Sequence, residues 1–222
     1  MFLAITLARS GSQRLKNKNI KKINKKTLLD YTFERSIKSK YIDEIFFSSE
    51  SVRINKIAKK IGYKVIFKRP NRLAKHNVTP IPVLMHAIKI IKKIKKFKYI
   101  ILLQPTSPLR NKEDIDKSIE IIKKKKFESL ISITKSRTKH KLDVIIKKNY
   151  LYKNFRSKKK LAQKNFYYVN GAIYISTVSN FLENKSFFSK KTGFYIMDPE
   201  RSIDIDKKKD FEKFKKKIIL SK

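Results

Sequence analysis

The sequence has no cysteine and no tryptophan, and glycine occurs only four times. Without cysteine the chain cannot form a disulfide, a thiolate metal site or a cysteine nucleophile. This absence fits a reducing compartment, so we expect a cytoplasmic protein. No apolar run approaches the ~18 residues of a membrane-spanning helix, and the apolar start "MFLAITLA" lacks the basic flank of a signal peptide. We therefore expect no membrane partner and predict that this start is a buried strand.

Acidic residues are also scarce, and their scarcity leaves a large positive charge. The 222 residues hold 57 Lys+Arg against 18 Asp+Glu, a net charge of +39. Such a charge favours a polyanion as partner, either nucleic acid, a nucleotide or an anionic membrane face. Compositional drift toward residues with AT-rich codons is the alternative, because many lysines fall on solvated helix faces such as "KIIKKIKKFK". No RNA-binding aromatic motif or helix-turn-helix signal accompanies the charge, so nucleic acid is not an expected partner.

Short apolar runs alternate with amphipathic stretches along most of the chain. The runs predict strands at 2–7, 44–48, 65–67, 99–103, 129–134 and 170–175, and the amphipathic stretches predict helices at 28–37, 52–61, 80–94, from 111 onward and at 207–220. This alternation indicates βαβ units and a mostly parallel sheet in an α/β fold. From about residue 137 the alternation breaks, and we expect 137–195 to leave the sheet as an excursion used for dimerisation. The length suits a single domain, 1–222.

A basic loop, 8–19, follows the first predicted strand. In open parallel sheets, ligands bind beyond the carboxyl ends of the strands. Gly11 and Ser12 allow close backbone approach, and the charge comes from Arg9, Arg14, Lys16 and Lys18. The loop would suit a triphosphate, although neither common glycine-rich phosphate motif is present. A solvated, lysine-rich turn is the alternative.

The stretch "QPTSPLR", 104–110, follows a strand that we expect to be buried on both faces. Its two prolines stiffen the loop and would hold Gln104, Thr106 and Ser107 in place. Such a rigid polar loop suits a hydroxyl-rich ligand, and an ordinary turn is the alternative.

The stretch "SIDID", 202–206, supplies a pair of carboxylates in a chain with few acids. On a strand, Asp204 and Asp206 would point to the same face. Hard oxygen ligands near phosphates suit Mg²⁺. A solvated acidic pair at a strand end is the alternative.

These motifs, together with "NGAIYI" and "SFFSKKTGFYIM", occur in an order that resembles the acylneuraminate cytidylyltransferase family. This family comprises the CMP-sialic acid synthetases and their legionaminate and pseudaminate relatives, and the resemblance runs from about residue 3 to residue 214. It implies a three-layer Rossmann-like sandwich of the nucleotide-diphospho-sugar transferase type, acting as a homodimer. The implied reaction joins CMP from CTP to the anomeric hydroxyl of a nine-carbon 2-keto acid sugar, releases pyrophosphate and uses Mg²⁺. The alternatives are an eight-carbon sugar such as Kdo and a non-catalytic, nucleic-acid-binding homologue.

The resemblance also implies roles for individual residues. The CTP site would be formed by Arg9, Ser12, Arg14, Lys18, Asn19 and Arg69, with Arg9 and Lys18 catalytic. The sugar would contact Gln104, Asn170, Tyr174, Phe187 and Phe188, and the metal would bind Asp204 and Asp206. The chain departs from the usual family residues at Gln13, Glu50, His76 and Asn77.

Overall fold

Strands and helices alternate through the residues that the computed structural model describes, 1–136, 143–153 and 166–220. The strands are β1 Phe2–Leu7, β2 Lys22–Ile23, β3 Lys26–Thr27, β4 Ile42–Ser48, β5 Tyr99–Leu103, β6 Ser129–Ser136, β7 Asp143–Lys147, β8 Tyr150–Lys153, β9 Phe166–Thr177 and β10 Thr192–Ile196. The α-helices are α1 Leu28–Ile37, α2 Val52–Ile61, α3 Pro80–Ile91, α4 Lys112–Lys124, α5 Val178–Asn184 and α6 Lys208–Leu220.

The central sheet has the strand order β10-β6-β9-β5-β1-β4. Strand β1 pairs in parallel with β4 and with β5, and β10 pairs in parallel with β6. Strand β9 is antiparallel to both of its neighbours, β5 and β6. The prediction of an α/β fold with a mostly parallel sheet is therefore confirmed.

Helices cover both faces of this sheet, because alternate residues of the strands face opposite sides. In β1, Ala4 belongs to one buried apolar cluster with residues of α1, α2 and α4, and Leu3 belongs to another with residues of α3 and α5. The three-layer sandwich is thus built from one sheet and two helical layers. A third, smaller cluster joins Leu15 of the basic loop to Ile205 and to α6.

Several predicted helix ends are confirmed in detail. The Asn111 side chain accepts a hydrogen bond from the Asp114 amide, and the Asp114 carboxylate accepts one from the Asn111 amide, so α4 begins with a capping box. Gly62 follows α2 with φ 119°, a left-handed conformation that favours glycine. Pro80 begins α3 after Thr79, as the sequence predicts, and the helix ends at Ile91 rather than near 94.

Two predicted strands are wrong. Residues 65–67 form no strand, and the described chain next to them makes one isolated bridge, from Lys64 to Phe46. Ile66 is exposed, so this short stretch does not pack into the core as a buried strand would. Residues 202–206 form no strand, because the amide of Ile205 donates to the carbonyl of Thr106, in the loop after β5, and not to a strand of the sheet.

The predicted excursion at 137–195 is wrong for most of its described part. Strands β9 and β10 lie within that range, yet they belong to the central sheet. Among the described strands of this range, β7 and β8 form a hairpin off the path of the sheet, attached to the start of β9. Residues 137–142 and 154–165 lie outside the described residues. Dimerisation through this region stays a prediction. In the described ranges, no helix combines the length and the apolar character that crossing a membrane requires.

Candidate active site

A pocket of about 370 Å³ opens at the carboxyl ends of β1 and β5. These strands are parallel neighbours, so the loops that follow them lie side by side. The lining residues come from the basic loop, from the segment that leads into α3, from the loop after β5 and from Asp206. A cavity therefore lies where an open parallel sheet is expected to bind its ligand.

Every residue that the sequence predicts for the CTP site lines this pocket. They are Arg9, Ser12, Arg14, Lys18, Asn19 and Arg69, and the pocket also includes Gln104 and Asp206 from the predicted sugar and metal sites. Lys75 adds a further cation. Five cationic side chains thus surround one carboxylate, a distribution that attracts an anion.

Arg69 is a buried member of the pocket wall. Its Nε donates to the Ser48 hydroxyl at 3.1 Å and its Nη2 donates to the Ala8 carbonyl at 3.0 Å. Burial lowers the pKa of Arg69 to about 10, which still leaves it charged at neutral pH. Arg69 therefore joins the ends of β1 and β4 and presents a fixed positive charge to the pocket.

Glu50 holds the beginning of the basic loop. Its Oε1 accepts hydrogen bonds from the backbone amide and from the hydroxyl of Ser10, both at 2.7 Å. Burial alone would raise the pKa of Glu50, but the bonds from Ser10 outweigh it, so this pKa lies below its usual value. Glu50, which differs from the usual family residue, thus fixes the loop as an ionised carboxylate.

The two predicted catalytic cations lie on different parts of the basic loop. Arg9 donates from Nη1 to the Lys75 carbonyl at 3.0 Å, which ties the loop to the segment before α3. Lys18 begins a 3-10 turn after Asn17, whose φ is 56°. The Lys18 side chain is only 15% exposed, and its Nζ lies 3.5 Å from Asp206 Oδ1. The turn therefore directs Lys18 inward.

Asp204 and Asp206 have contrasting environments. Asp206 pairs with Arg14 as well as with Lys18. Burial raises the pKa of Asp206, but the hydrogen bond from Arg14 and the charge of Lys18 lower it below its usual value overall. Asp204 is exposed as a residue, but desolvation of its carboxyl group raises its pKa and outweighs the lowering effect of a hydrogen bond with Thr106. Lys18 lowers the pKa of both carboxylates.

The donor set of this pair fits Mg²⁺. Carboxylate oxygens are its preferred protein ligands, and one or two carboxylates with substrate phosphates commonly complete its shell. Among the residues that the structure describes, no group of three His, Cys, Asp or Glu side chains is arranged to hold a metal. Of the two carboxylates that the sequence predicts for the metal, Asp206 lines the pocket and Asp204 does not.

The other predicted sugar residues do not line the pocket. Asn170 is buried and bonded to Ser132 and Ser202. The ring of Tyr174 lies 5.2 Å from that of Phe187, inside the apolar cluster on the α3 side of the sheet, and Phe188 packs against the same cluster. Burial, followed by the charge of Asp204, raises the pKa of Tyr174.

Sequence reasoning did not assign to the site three residues just before and at the start of α3. Lys75, Thr79 and Pro80 line the pocket, so the N-terminus of α3 faces it. A helix N-terminus carries partial positive charge and favours anions. The Thr79–Pro80 pair predicts the start of the helix. Because this pair lies only ten residues after Arg69, the sequence could also have indicated that the helix start lines the same pocket.

The sequence is similar to curated relatives over nearly its whole length. It is 33% identical to N-acylneuraminate cytidylyltransferase of Escherichia coli over 95% of this chain and 50% of that protein. It is also 33% identical to CMP-N,N'-diacetyllegionaminic acid synthase of Campylobacter jejuni over 95% of this chain and 92% of that protein. The chain therefore spans about half the length of the E. coli relative and most of the Campylobacter relative.

The fold is similar to a solved CMP:2-keto-3-deoxy-manno-octonic acid synthetase complexed with CTP. The two structures match with a TM-score of 0.79 over 100% of this chain and 99% of that one, at 13% sequence identity. At that identity the likeness shows the fold alone. The family model described as Cytidylyltransferase matches residues 3–219, and with relatives above 30% identity it shows that this chain belongs to the cytidylyltransferase family.

Proposed function

We propose that the protein transfers CMP from CTP to the anomeric hydroxyl of a nine-carbon 2-keto acid sugar and releases pyrophosphate. The observation that carries this proposal is that all six residues expected to bind CTP line one cationic pocket, with Gln104 and Asp206 beside them. Relatives named for N-acylneuraminate and for diacetyllegionaminic acid favour an acidic nine-carbon sugar. The exact sugar is left to experiment.

The pocket residues act mainly by positioning and by electrostatics. In the proposed step, the anomeric oxygen bonds to the α-phosphorus, the bond from that phosphorus to the β-phosphate oxygen breaks with its electron pair, and the hydroxyl proton passes to solvent. Negative charge then grows on the departing pyrophosphate. Arg9 and Lys18 would stabilise this charge, and the inward direction of Lys18 prepares it before the reaction begins.

We also propose Mg²⁺ as the cofactor, bound by Asp204 and Asp206. When bound, the ion would neutralise phosphate charge in the same way as the cations. Arg14, whose side chain is 66% exposed, would exchange its pair with Asp206 for a phosphate oxygen. The homodimer and the cytoplasmic location implied by the resemblance stay predictions.

The decisive assay is pyrophosphate release from CTP and Mg²⁺ with a panel of neuraminic, legionaminic, pseudaminic and eight-carbon keto acids. We expect turnover with at least one nine-carbon acid and none without sugar. Turnover with the eight-carbon acid alone would assign the other substrate class. A folded protein that is inactive with the whole panel would refute the proposal.

The metal assignment is tested separately with Asp206→Ala. We expect a rate loss on the order of 10²–10³-fold, by analogy with the removal of a transition-state donor. Full Mg²⁺-dependent activity in this variant would refute the role of Asp206 while leaving the nucleotide site intact.

A further inference from the structure

The segment that carries the two carboxylates has no regular structure of its own. Residues 202–206 lie between the 3-10 turn Pro199–Arg201 and α6, and they belong to no strand or helix. Ser202 and Ile205 are buried, whereas Asp204 between them is exposed. Because no sheet ladder holds this segment, the position of its carboxylates depends on what its buried neighbours contact.

The first contact is made by Arg201, directly before the segment. Its Nε donates to Asp114 Oδ2 at 3.0 Å and its Nη2 donates to Asp114 Oδ1 at 2.9 Å. Parallel bonds of this kind fix orientation as well as distance, which a lysine cannot reproduce. The pair therefore defines where the segment begins.

Asp114 is a rigid partner for that pair. Its side chain is 1% exposed and lies in the first turn of α4. Besides Arg201, it accepts hydrogen bonds from the Asn111 amide at 3.1 Å and from the Tyr195 hydroxyl at 2.9 Å. The guanidinium is thus joined to a helix end that the capping box already holds.

Two further contacts lie on either side of Asp204. Asn170 Nδ2 donates to the Ser202 hydroxyl at 3.0 Å, and the Ile205 amide donates to the Thr106 carbonyl at 2.7 Å. The first joins the segment to β9 and the second joins it to the loop after β5. Arg201, Ser202 and Ile205 therefore attach the segment to three separate parts of the fold.

We propose that Arg201 is a positioning residue for the metal site, holding the segment of Asp204 and Asp206 beside the nucleotide pocket, which Asp206 lines, through its paired bonds to Asp114. This inference rests on the proposed function, because it concerns the metal that accompanies CTP. Arg201 does not line the pocket. Its loss would leave both carboxylates present but loosely placed. Loss of an outer partner of a metal ligand typically weakens metal affinity or activity 10–100-fold.

The test uses Arg201→Gln and Arg201→Lys in the full chain. Binding of Mn²⁺ in the presence of CTP is followed by electron paramagnetic resonance, which requires neither sugar nor turnover. We expect 10–100-fold weaker Mn²⁺ binding in Arg201→Gln and a smaller loss in Arg201→Lys. The Mg²⁺ concentration for half-maximal pyrophosphate release should rise in parallel, whereas CTP binding without metal should stay within about twofold, since the cationic pocket is unchanged.

The matched control is Lys217→Ala. Lys217 contacts Glu200 in the same 3-10 turn, including a 2.9 Å bond to the Glu200 carbonyl. Its pair with Glu200 lies at the surface, and the Glu200 side chain is 79% exposed. We expect unchanged Mn²⁺ binding in this variant, and an equal loss there would overturn the inference.

Further measurements distinguish a variant that does not fold from a failure of this inference or of the proposed function. Near-ultraviolet circular dichroism identifies variants that fail to fold, and Arg201→Lys carries the test if Arg201→Gln does not fold, because lysine keeps the charge but cannot reproduce both bonds to Asp114. Wild-type Mn²⁺ affinity in folded Arg201→Gln, or in Arg201→Lys if Arg201→Gln does not fold, would overturn the inference. Normal Mn²⁺–CTP binding by the wild type without turnover on any sugar would refute the proposed function alone. Failure of the wild type to bind Mn²⁺ with CTP would overturn the metal site and this inference together.

Discussion

Replacing Lys18 by methionine should sharply reduce the reaction with CTP while leaving the fold intact. Methionine keeps most of the side-chain length and removes the charge, and the side chain is only 15% exposed. A unit charge about 4 Å from a phosphate oxygen contributes ~4 kcal/mol at an effective dielectric constant near 20. A loss of about 3–4 kcal/mol from the transition state corresponds to roughly 10²–10³-fold in rate, the range seen when one preorganised donor is removed.

The assay is kcat/KM for CTP from pyrophosphate release, with the sugar and Mg²⁺ saturating. Lys16→Met is the matched control, because Lys16 lies in the same loop but is exposed and does not line the pocket. We expect Lys16→Met to stay within about twofold of the wild type, as a surface substitution should. Equal losses in the two variants would show that general loop charge matters and that the direction of Lys18 does not. An unchanged Lys18→Met would refute the electrostatic argument.

Two further predictions concern stability. Gly193→Ala should lower the free energy of unfolding by about 1–3 kcal/mol, measured by urea denaturation, because an added Cβ would lie 2.0 Å from Phe127. Gly11→Ala is its control, since nothing lies within 4 Å of that Cβ, and a similar loss there would contradict the steric reasoning. Glu50→Gln should destabilise the protein most near neutral pH. The pKa of Glu50 is lowered by folding, so its ionised form stabilises the fold above the unfolded value of about 4.3, and this contribution is lost as pH falls through the folded value. A stability difference between wild type and variant that did not shrink on acidification would exclude this role.

Local structure was predictable where the signal was local. The capping box of Asn111 and Asp114, and the glycine after α2, depend on residues within a few positions of each other, and both predictions are confirmed. The second role of Asp114, as the partner of Arg201, joins residues 87 positions apart. No periodicity indicates such a pair, so the attachment of the carboxylate segment became visible only in three dimensions.

Strand pairing was less predictable than strand existence. The apolar stretch 170–175 predicts a strand, and β9 contains it. Its position between β5 and β6 depends on which edges are free once the other strands have paired, and that information is spread over the whole chain.

The candidate site likewise contains residues whose placement the sequence predicts and residues whose placement it does not. The six residues that the sequence predicts for the CTP site are gathered into one pocket, in keeping with motifs that follow strand ends. Asn170 comes from an equally recognisable motif, yet its amide is used inside the protein, by Ser132 and Ser202. Whether a polar side chain faces a ligand or a buried partner depends on its neighbours in space.

The antiparallel strand β9 has a consequence for how the chain assembles during synthesis. Strands β1, β4 and β5 can pair as soon as the first hundred or so residues are available, but β6 reaches them only through β9, which begins at Phe166. Until β9 has been made, β5 and β6 each present an unpaired edge, and exposed edges promote aggregation. A chain interrupted before β9 would therefore be expected to accumulate in inclusion bodies, because the strand that joins β5 to β6 follows both of them in the sequence.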